Sequence, residues 1–237
     1  MRADISRYEI PRHIGIIMDG NGRWAQQRRM IRTQGHLEGL KAAKRVVKAA
    51  SDMGVQYITL FAFSTENWKR ASSEVGFIMD LIRRHLSAEM DFYRENRIRI
   101  RHCGDLSGMP PEISREIERA ISDTREFNGM QVILAINYGG RNELARAMQR
   151  LAANESKNIT ENDIAACLDN PDVPDLDLII RSAGEYRISN FLLWEGAYAE
   201  MYVSEKLWPD WSDTDLKAAV NEYQKRNRRF GGMNNGE

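Results

Sequence analysis

Four short stretches of the chain are apolar almost without interruption: Ile14 to Met18, Tyr57 to Phe63, Val132 to Ile136 and Leu176 to Ile180. Runs this short and rich in β-branched residues predict strands buried on both faces of a parallel sheet. Arg97-Ile98-Arg99-Ile100-Arg101 alternates strictly instead and predicts a half-exposed edge strand. Between these runs, Leu37 to Met53, Val75 to Tyr93, Pro111 to Phe127 and Asn142 to Ala153 carry helical periodicity. In the second of them Val75, Ile78, Met79, Ile82, Leu86, Met90 and Tyr93 recur at three- and four-residue steps, one face of a helix. Thr160-Glu161-Asn162-Asp163 and Ser212-Asp213-Thr214-Asp215 have the form of capping boxes, each opening a short helix. Strands alternating with helices imply a single α/β domain, a mostly parallel sheet with helices on both faces. No repeat, low-complexity tract or linker divides it.

Composition narrows the classes of function. The 237 residues can bury a full core, and 34 basic residues balance 34 acidic ones. A zero net charge argues against a generally cationic nucleic-acid binder. Cys103 and Cys167 lack CxxC spacing and read as free thiols of a reducing compartment. No stretch approaches the roughly 20 apolar residues of a membrane span, and Met1 to Pro11 lacks a signal-peptide core. The expectation is a soluble, cytoplasmic protein, with peripheral contact with a membrane surface left open.

Sites in such folds lie beyond the carboxyl ends of the strands, and each predicted end carries a polar cluster. The first, Met18-Asp19-Gly20-Asn21-Gly22-Arg23-Trp24, has glycines that let backbone N–H groups close on an anion, and an arginine fork. Asp19 would repel a diphosphate unless a cation lay between them or it acted on what is bound. Gly20 to Ala25 also matches the loose G-x-G-x-x-G/A dinucleotide pattern. Against that reading, the acid expected about 20 residues on falls in the basic stretch Lys41 to Lys48, and Arg23 and Trp24 are bulky. There is no P-loop. Arg28 and Arg29 read as a solvated helix face; Arg32 and His36, four apart, share a face and can reach one anion. His13, His85 and His102 read as structural or surface residues.

The second cluster, Ser64-Thr65-Glu66-Asn67-Trp68-Lys69-Arg70, is either a capped turn or a site. The tryptophan and arginine favour the site. The third, Arg181-Ser182-Ala183-Gly184-Glu185-Tyr186-Arg187-Ile188-Ser189-Asn190, supplies two arginines and two serines for a second anion. Two diphosphate-type sites in one domain point to a bisubstrate transferase, and Asp19 with Glu200 offers oxygen ligands for magnesium.

Taken together, MDGNGRW, Arg32-x-x-x-His36, FAFSTENWKR, INYGGR, RSAGEYRISNFLLW, Tyr198-Ala199-Glu200, LWPDW and RRFGG resemble the cis-prenyltransferases, most closely the bacterial undecaprenyl diphosphate synthases. They run from His13 to Gly232 and are specific jointly rather than singly. The trans-prenyltransferases use DDxxD, and this chain has no Asp-Asp pair. The resemblance implies a Mg²⁺-dependent enzyme that adds isopentenyl diphosphate repeatedly to an allylic diphosphate such as farnesyl diphosphate. Each new double bond is cis, and the product is a long polyprenyl diphosphate of the kind that carries cell-wall precursors. It implies one domain over residues 1–237, with an N-terminal arm (1–12) and a C-terminal helix and RxG tail (211–237), an apolar tunnel, and a homodimer. By the same resemblance, Gly20, Asn21, Gly22, Arg23, Trp24, Arg32, His36 and Arg70 hold the allylic diphosphate. Thr65, Glu66 and Trp68 belong to the same substrate loop. Arg181, Arg187, Ile188 and Ser189 hold isopentenyl diphosphate, completed by Arg229 and Gly231 on the neighbouring subunit. Asp19 serves catalysis and metal, Glu200 the metal, and Ser64 and Asn67 organise removal of the isopentenyl proton. Neither of those two is a strong base, so a bound phosphate oxygen is a candidate acceptor. The stripe Val75, Ile78, Met79, Ile82, Leu86, with Ala62 and Val132 to Ile136, is the candidate tunnel wall; ordinary core packing reads the same way.

Four positions depart from the usual pattern of the family. Ala183 stands at a small polar or glycine position, Tyr186 where some bacterial members have a metal-contacting histidine, Glu195 where glutamine is frequent, and Ala71 where proline follows the arginine. None removes a diphosphate-holding arginine or either carboxylate. The alternatives are a short-chain or branching relative, a non-catalytic partner subunit, and a nucleotide-binding module.

Overall fold

A computed structural model of the protein describes residues 10–153 and 158–228. The chain begins with β1 (His13–Ile17), α1 (Asn21–Gln27), α2 (Arg32–Asp52) and β2 (Tyr57–Ser64). A 3-10 turn at Thr65–Lys69 leads to α3 (Ser72–Ala88), α4 (Met90–Glu95), β3 (Arg99–Cys103), α5 (Pro111–Thr124), β4 (Gln131–Tyr138), α6 (Gly140–Ala153) and α7 (Glu161–Ala166). It ends with β5 (Leu178–Arg181), β6 (Glu200–Val203), a second 3-10 turn at Trp208–Asp210 and α8 (Asp213–Gln224). The six strands form one parallel sheet in the order β3-β4-β2-β1-β5-β6.

The unbroken apolar runs arise because both faces of the sheet are covered. Ile14, Ile16, Ile58, Leu60, Val132, Leu178 and Ile180 point into a large core with α2, α3, α5 and α8. Their neighbours Ile17, Ile133, Ala135 and Ile179 point to a smaller core on the other face, filled by Phe191 and Leu192. Phe61 stacks on Phe191 with centroids 4.7 Å apart, and Tyr138 meets both rings edge-on. Trp208 and Trp211, both fully buried, fasten the last segment to α2, Trp208 donating to the Gly39 carbonyl at 2.8 Å. Gly35 lets α1 and α2 meet: a Cβ there would stand 2.0 Å from the Asn21 carbonyl oxygen.

The structure corrects three expectations about elements. The helix predicted over 75–93 breaks for one residue at Glu89, between α3 and α4. The edge strand lies two residues later than the arginine–isoleucine alternation, and Ile98 and Ile100 are both fully buried. The second edge, β6, was not anticipated: four residues, all half-buried, give no periodic signal. Both expected capping boxes form, at Thr160 and Ser212. Both cysteines are free thiols. No helix among the described residues is long and apolar enough to cross a membrane.

Candidate active site

β1, β2 and β5 are neighbours in the sheet, so the polar segments that follow them meet. Beyond their carboxyl ends lies a cavity of about 650 Å³. Asp19, Gly20, Asn21, Gly22, Arg23, Arg32, His36, Ser64, Glu66, Asn67, Arg70, Arg181 and Ser189 all line it, together with Asn190. Four arginines face two carboxylates there, which makes the cavity cationic in a chain of zero net charge. Ile17, Met18, Phe61, Ala62 and Ile78 form its apolar side.

Asp19 stands at the centre. Arg181 donates to its Oδ2 at 2.8 Å, the Gly20 N–H to its Oδ1 at 2.6 Å, and Arg23 approaches Oδ1 at 3.5 Å. Burial pushes its pKa up, but the hydrogen bond and charge of Arg181, then Gly20 and Arg23, outweigh burial and hold the carboxyl below its ordinary value. Its backbone is pinned too: its N–H donates to Ser182 Oγ at 2.9 Å, and that hydroxyl donates back to the Asp19 carbonyl at 2.8 Å. The carboxylate is thus ionised and fixed between an arginine from each cluster.

Gly20 takes φ +101°, the left-handed region, and starts α1 without a side-chain cap. First-turn N–H groups of a helix have no partner within it, and Gly20, Asn21 and Gly22 expose this turn to the cavity. Arg181 is almost fully buried; besides Asp19 it donates to Ser189 Oγ at 2.8 Å and to the Arg187 carbonyl, while its Nε makes no hydrogen bond among the described residues.

On the opposite wall Arg32, His36 and Arg70 converge as their spacing predicted, but on a residue the sequence reading missed. Glu74, on the first turn of α3, lies 3.3 Å from Arg32 Nε, 3.2 Å from His36 Nε2 and 3.1 Å from Arg70 Nη1. Burial raises the Glu74 pKa and these three partners more than offset it, so it stays ionised. Burial lowers that of His36, only partly opposed by Glu74, which keeps the imidazole neutral. A carboxylate held by two arginines and a histidine marks where an anion binds. The Arg70–Glu74 spacing of four was the available signal.

Ser64 and Asn67 form a reciprocal cap on the 3-10 turn, the Ser64 N–H donating to Asn67 Oδ1 at 3.1 Å. Glu66 accepts from Asn190 Nδ2 at 2.9 Å, which ties the second cluster to the third. Asn190, quoted in the motif but not singled out, also receives the Arg141 N–H on its Oδ1 and the Gly140 N–H on its carbonyl.

Other predicted site residues lie elsewhere. Trp24 is buried on the far side of α1, donating to Asp210 at 2.7 Å beneath the Arg28 guanidinium 4.2 Å from its ring. The apolar ring faces the core because α1 is only two turns long and must pack somewhere. Arg28 is therefore no free solvated residue but an ion-pair partner of Asp210 at 3.2 Å. Trp68 turns from the cavity to Asn137 Oδ1 (2.8 Å) and the Phe63 ring. Thr65 does not line the cavity, Ile188 packs with the smaller core, and Arg187 is exposed beside Glu185. Arg229 and Gly231 lie outside the described residues.

Asp19 and Glu200 do not meet within one chain. Glu200 is level with Leu178, which is level with Ile14, five residues and roughly 16 Å of extended chain before Asp19 at ~3.3 Å per residue. Arg226 holds it at 2.8 Å. No cluster of three potential metal ligands occurs among the described residues. Asp19 alone still fits magnesium, which takes one or two carboxylates and completes its shell with water and substrate phosphates.

Of the candidate tunnel wall, Ala62, Ile82, Leu86, Val132, Leu134 and Ile136 surround a cavity of only about 70 Å³ behind Met18. Ile78 faces the diphosphate cavity, and Val75 and Met79 line a separate surface groove.

Ala183 has φ +72°, in the left-handed region that costs a Cβ residue about 1–2 kcal/mol. We expect Ala183→Gly to raise the unfolding free energy by about 1 kcal/mol in a urea titration. An unchanged or lower midpoint would show that the methyl group, packed near Gly20, contributes more than its strain costs.

A parallel sheet bearing a cationic, arginine-lined cavity at its carboxyl edge is built to take anionic, diphosphate-type substrates. Residues 17–231 match the family model Prenyltransf, described as "Putative undecaprenyl diphosphate synthase". Curated isoprenyl transferases share 51% identity in Treponema denticola (93% of this chain, 97% of the relative) and 45% in Thermotoga maritima (96% and 99%). Among solved structures, lavandulyl diphosphate synthase of Lavandula x intermedia, in complex with dimethylallyl diphosphate, superposes with TM-score 0.91 at 33% identity, covering 94% of this chain and 98% of its own. A probable undecaprenyl diphosphate synthase of Campylobacter jejuni gives 0.81 at 33%, covering 94% and 99%. The chain belongs to the undecaprenyl diphosphate synthase family.

Proposed function

We propose that this enzyme joins isopentenyl diphosphate repeatedly to an allylic diphosphate, farnesyl diphosphate for example, with cis geometry, and releases a long polyprenyl diphosphate serving as a cell-wall lipid carrier. The observation that supports it is Asp19 fixed between two arginine sets in one cavity, Arg23 with Arg32, His36 and Arg70 on one side and Arg181 with Ser189 on the other.

In each cycle the allylic C–O bond breaks, its carbon bonds to the terminal carbon of isopentenyl diphosphate, and one proton leaves. Charge develops on the departing diphosphate, and the arginines and first-turn N–H groups of α1 are preorganised donors for it. Mg²⁺ held by Asp19 and substrate phosphates would neutralise that charge further. Glu74 yields Arg32, His36 and Arg70 to the incoming phosphates. Ser64 and Asn67, locked by their mutual cap, orient the isopentenyl group, whose proton passes to a phosphate oxygen. The enzyme works as a homodimer.

The small cavity behind Met18 and the likeness to lavandulyl diphosphate synthase favour a second reading, a short-chain or branching product. Purified protein given farnesyl diphosphate, labelled isopentenyl diphosphate and Mg²⁺ should yield a cis ladder ending near C55. A single short or branched product selects the second reading. No product with any allylic primer rejects both.

A further inference from the structure

The segment INYGGR, at the carboxyl end of β4, does not line the diphosphate cavity, yet it seats the residue on which the second and third clusters meet. First-turn N–H groups of a helix have no partner within it. On α6 two of them are taken by Asn190: the Gly140 N–H donates to its carbonyl at 2.7 Å and the Arg141 N–H to its Oδ1 at 2.9 Å. Gly139 makes this approach possible, since a Cβ there would stand 2.7 Å from Asn190 Nδ2 and 2.7 Å from Thr65 Oγ1.

The other end of the same amide reaches Glu66, Nδ2 donating to Oε1 at 2.9 Å. With both ends committed the amide has one orientation: turned over, it would set its oxygen against a carboxylate and its NH₂ against an N–H. Burial pushes the Glu66 pKa up, but the hydrogen bond from Asn190 and those of its own turn outweigh burial and keep the acid ionised. Ser189 and Asn190 both take left-handed φ, +50° and +63°. Residues with a Cβ keep such a backbone only where contacts over-determine it. Here those contacts are α6 at Asn190 and, at Ser189 Oγ, Arg181 donating at 2.8 Å.

Asn190 thus joins two segments that must be right together. Ser189, next to it in the chain, serves isopentenyl diphosphate with Arg181 in the reading given above. Glu66 sits in the turn between Ser64 and Asn67 that leads on to Arg70, on the allylic side. Asn190 and Glu66 line the cavity themselves. We propose that Asn190 is a positioning residue that couples the two diphosphate half-sites. Through its bond to Glu66, filling the allylic side sets the 189–190 segment for isopentenyl diphosphate, and filling the isopentenyl side sets the 64–70 turn in return. Linkage requires that reciprocity, the two affinities changing by one factor. The inference rests on the two-substrate reading proposed above.

The test measures binding of labelled isopentenyl diphosphate by equilibrium dialysis with Mg²⁺, with and without farnesyl thiolodiphosphate, whose bridging sulfur resists ionisation. In wild type the thiolodiphosphate should tighten isopentenyl diphosphate by about tenfold or more, as coupled sites commonly do. Asn190→Asp keeps an acceptor for the Arg141 N–H but sets two carboxylates against each other, and should bring that factor close to one. Asn190→Asp/Glu66→Gln supplies a donor and an acceptor again at the same net charge, and should restore it. Gly139→Ala presses on the amide without changing a charge; it should reduce the factor too, and it decides the question if Asn190→Asp fails to fold. A purely structural role would weaken each affinity alone and leave the factor in place. That result, a wild type without coupling, or a double variant that stays uncoupled overturns the proposal. A wild type that couples the two ligands yet makes no product from any primer keeps the coupling and rejects the transfer. One that binds neither diphosphate overturns both.

Discussion

Asp19→Asn should lower the rate of prenyl transfer by about 10²–10³, the loss of about 2.7–4 kcal/mol that follows removal of one preorganised electrostatic group. The amide is nearly isosteric, but its single oxygen can accept from Arg181 or from the Gly20 N–H and not from both, where the carboxylate gives Oδ2 to one and Oδ1 to the other. What disappears is the negative charge of Asp19, which would hold a cation against the diphosphates. The variant should therefore fold, bind allylic diphosphate and lose most of its Mg²⁺ dependence along with its rate. The Asp19 pKa is depressed in the folded protein. Its ionised form thus contributes stability above the unfolded carboxylate range and loses it as pH falls through the folded pKa. In wild type that contribution fades in acid; in Asp19→Asn the fading is absent. Single-turnover rates and acid titrations of the two proteins check both statements, and a rate within tenfold of wild type would sink the role given to Asp19.

Glu195→Gln should stabilise the protein at alkaline pH and do little at pH 5. Glu195 Oε2 is buried without a hydrogen bond among the described residues. Its pKa is raised from 4.5 to about 8, first by burial and then by the charge of Glu143. Glu143 is itself buried and raised by desolvation, with Tyr138 donating to it and the Asp169 N–H donating at 3.1 Å. An acid whose folded pKa lies above its unfolded one binds the extra proton in the native state. Stability then falls as pH climbs from about 4.5 towards 8. With about 1.4 kcal/mol per unit, shared across a pair that titrates jointly, the cost approaches roughly 2–4 kcal/mol at pH 8 and above. Glutamine has no such charge to bury. Urea midpoints from pH 5 to 9 should decline in wild type and stay flatter in the variant; parallel curves would mean that Glu195 is solvated in the native protein. This position is also one of the four departures from the usual pattern of the family, and the structure gives that departure a physical cost.

The sequence determined four of the six strands, the carboxyl-end clusters and the chemistry of the turns. Continuous apolar runs such as Ile14 to Met18 follow from burial on two faces, and Gly20 with Arg23 and Arg181 needs no tertiary information to read as anion binding. Arg32 and His36 were legible as a pair because helical spacing alone puts them on one side. What the sequence did not contain is what each side chain meets. Glu74 could not be placed between Arg32, His36 and Arg70, because the α3 turn reaches α2 only in the folded chain. Trp24 and Trp68 sit in anion-binding motifs, yet the indole N–H of each finds its partner outside the cavity, Trp24 on Asp210 and Trp68 on Asn137. Glu200 reads as a partner for Asp19 until strand register sets it level with Ile14 instead. The pairing of Lys44 on α2 with Glu89 and the Phe92 ring joins two elements that periodicity describes separately. Local pattern is fixed by the chain's own spacing; pairing across elements depends on register and packing, which only the tertiary structure decides.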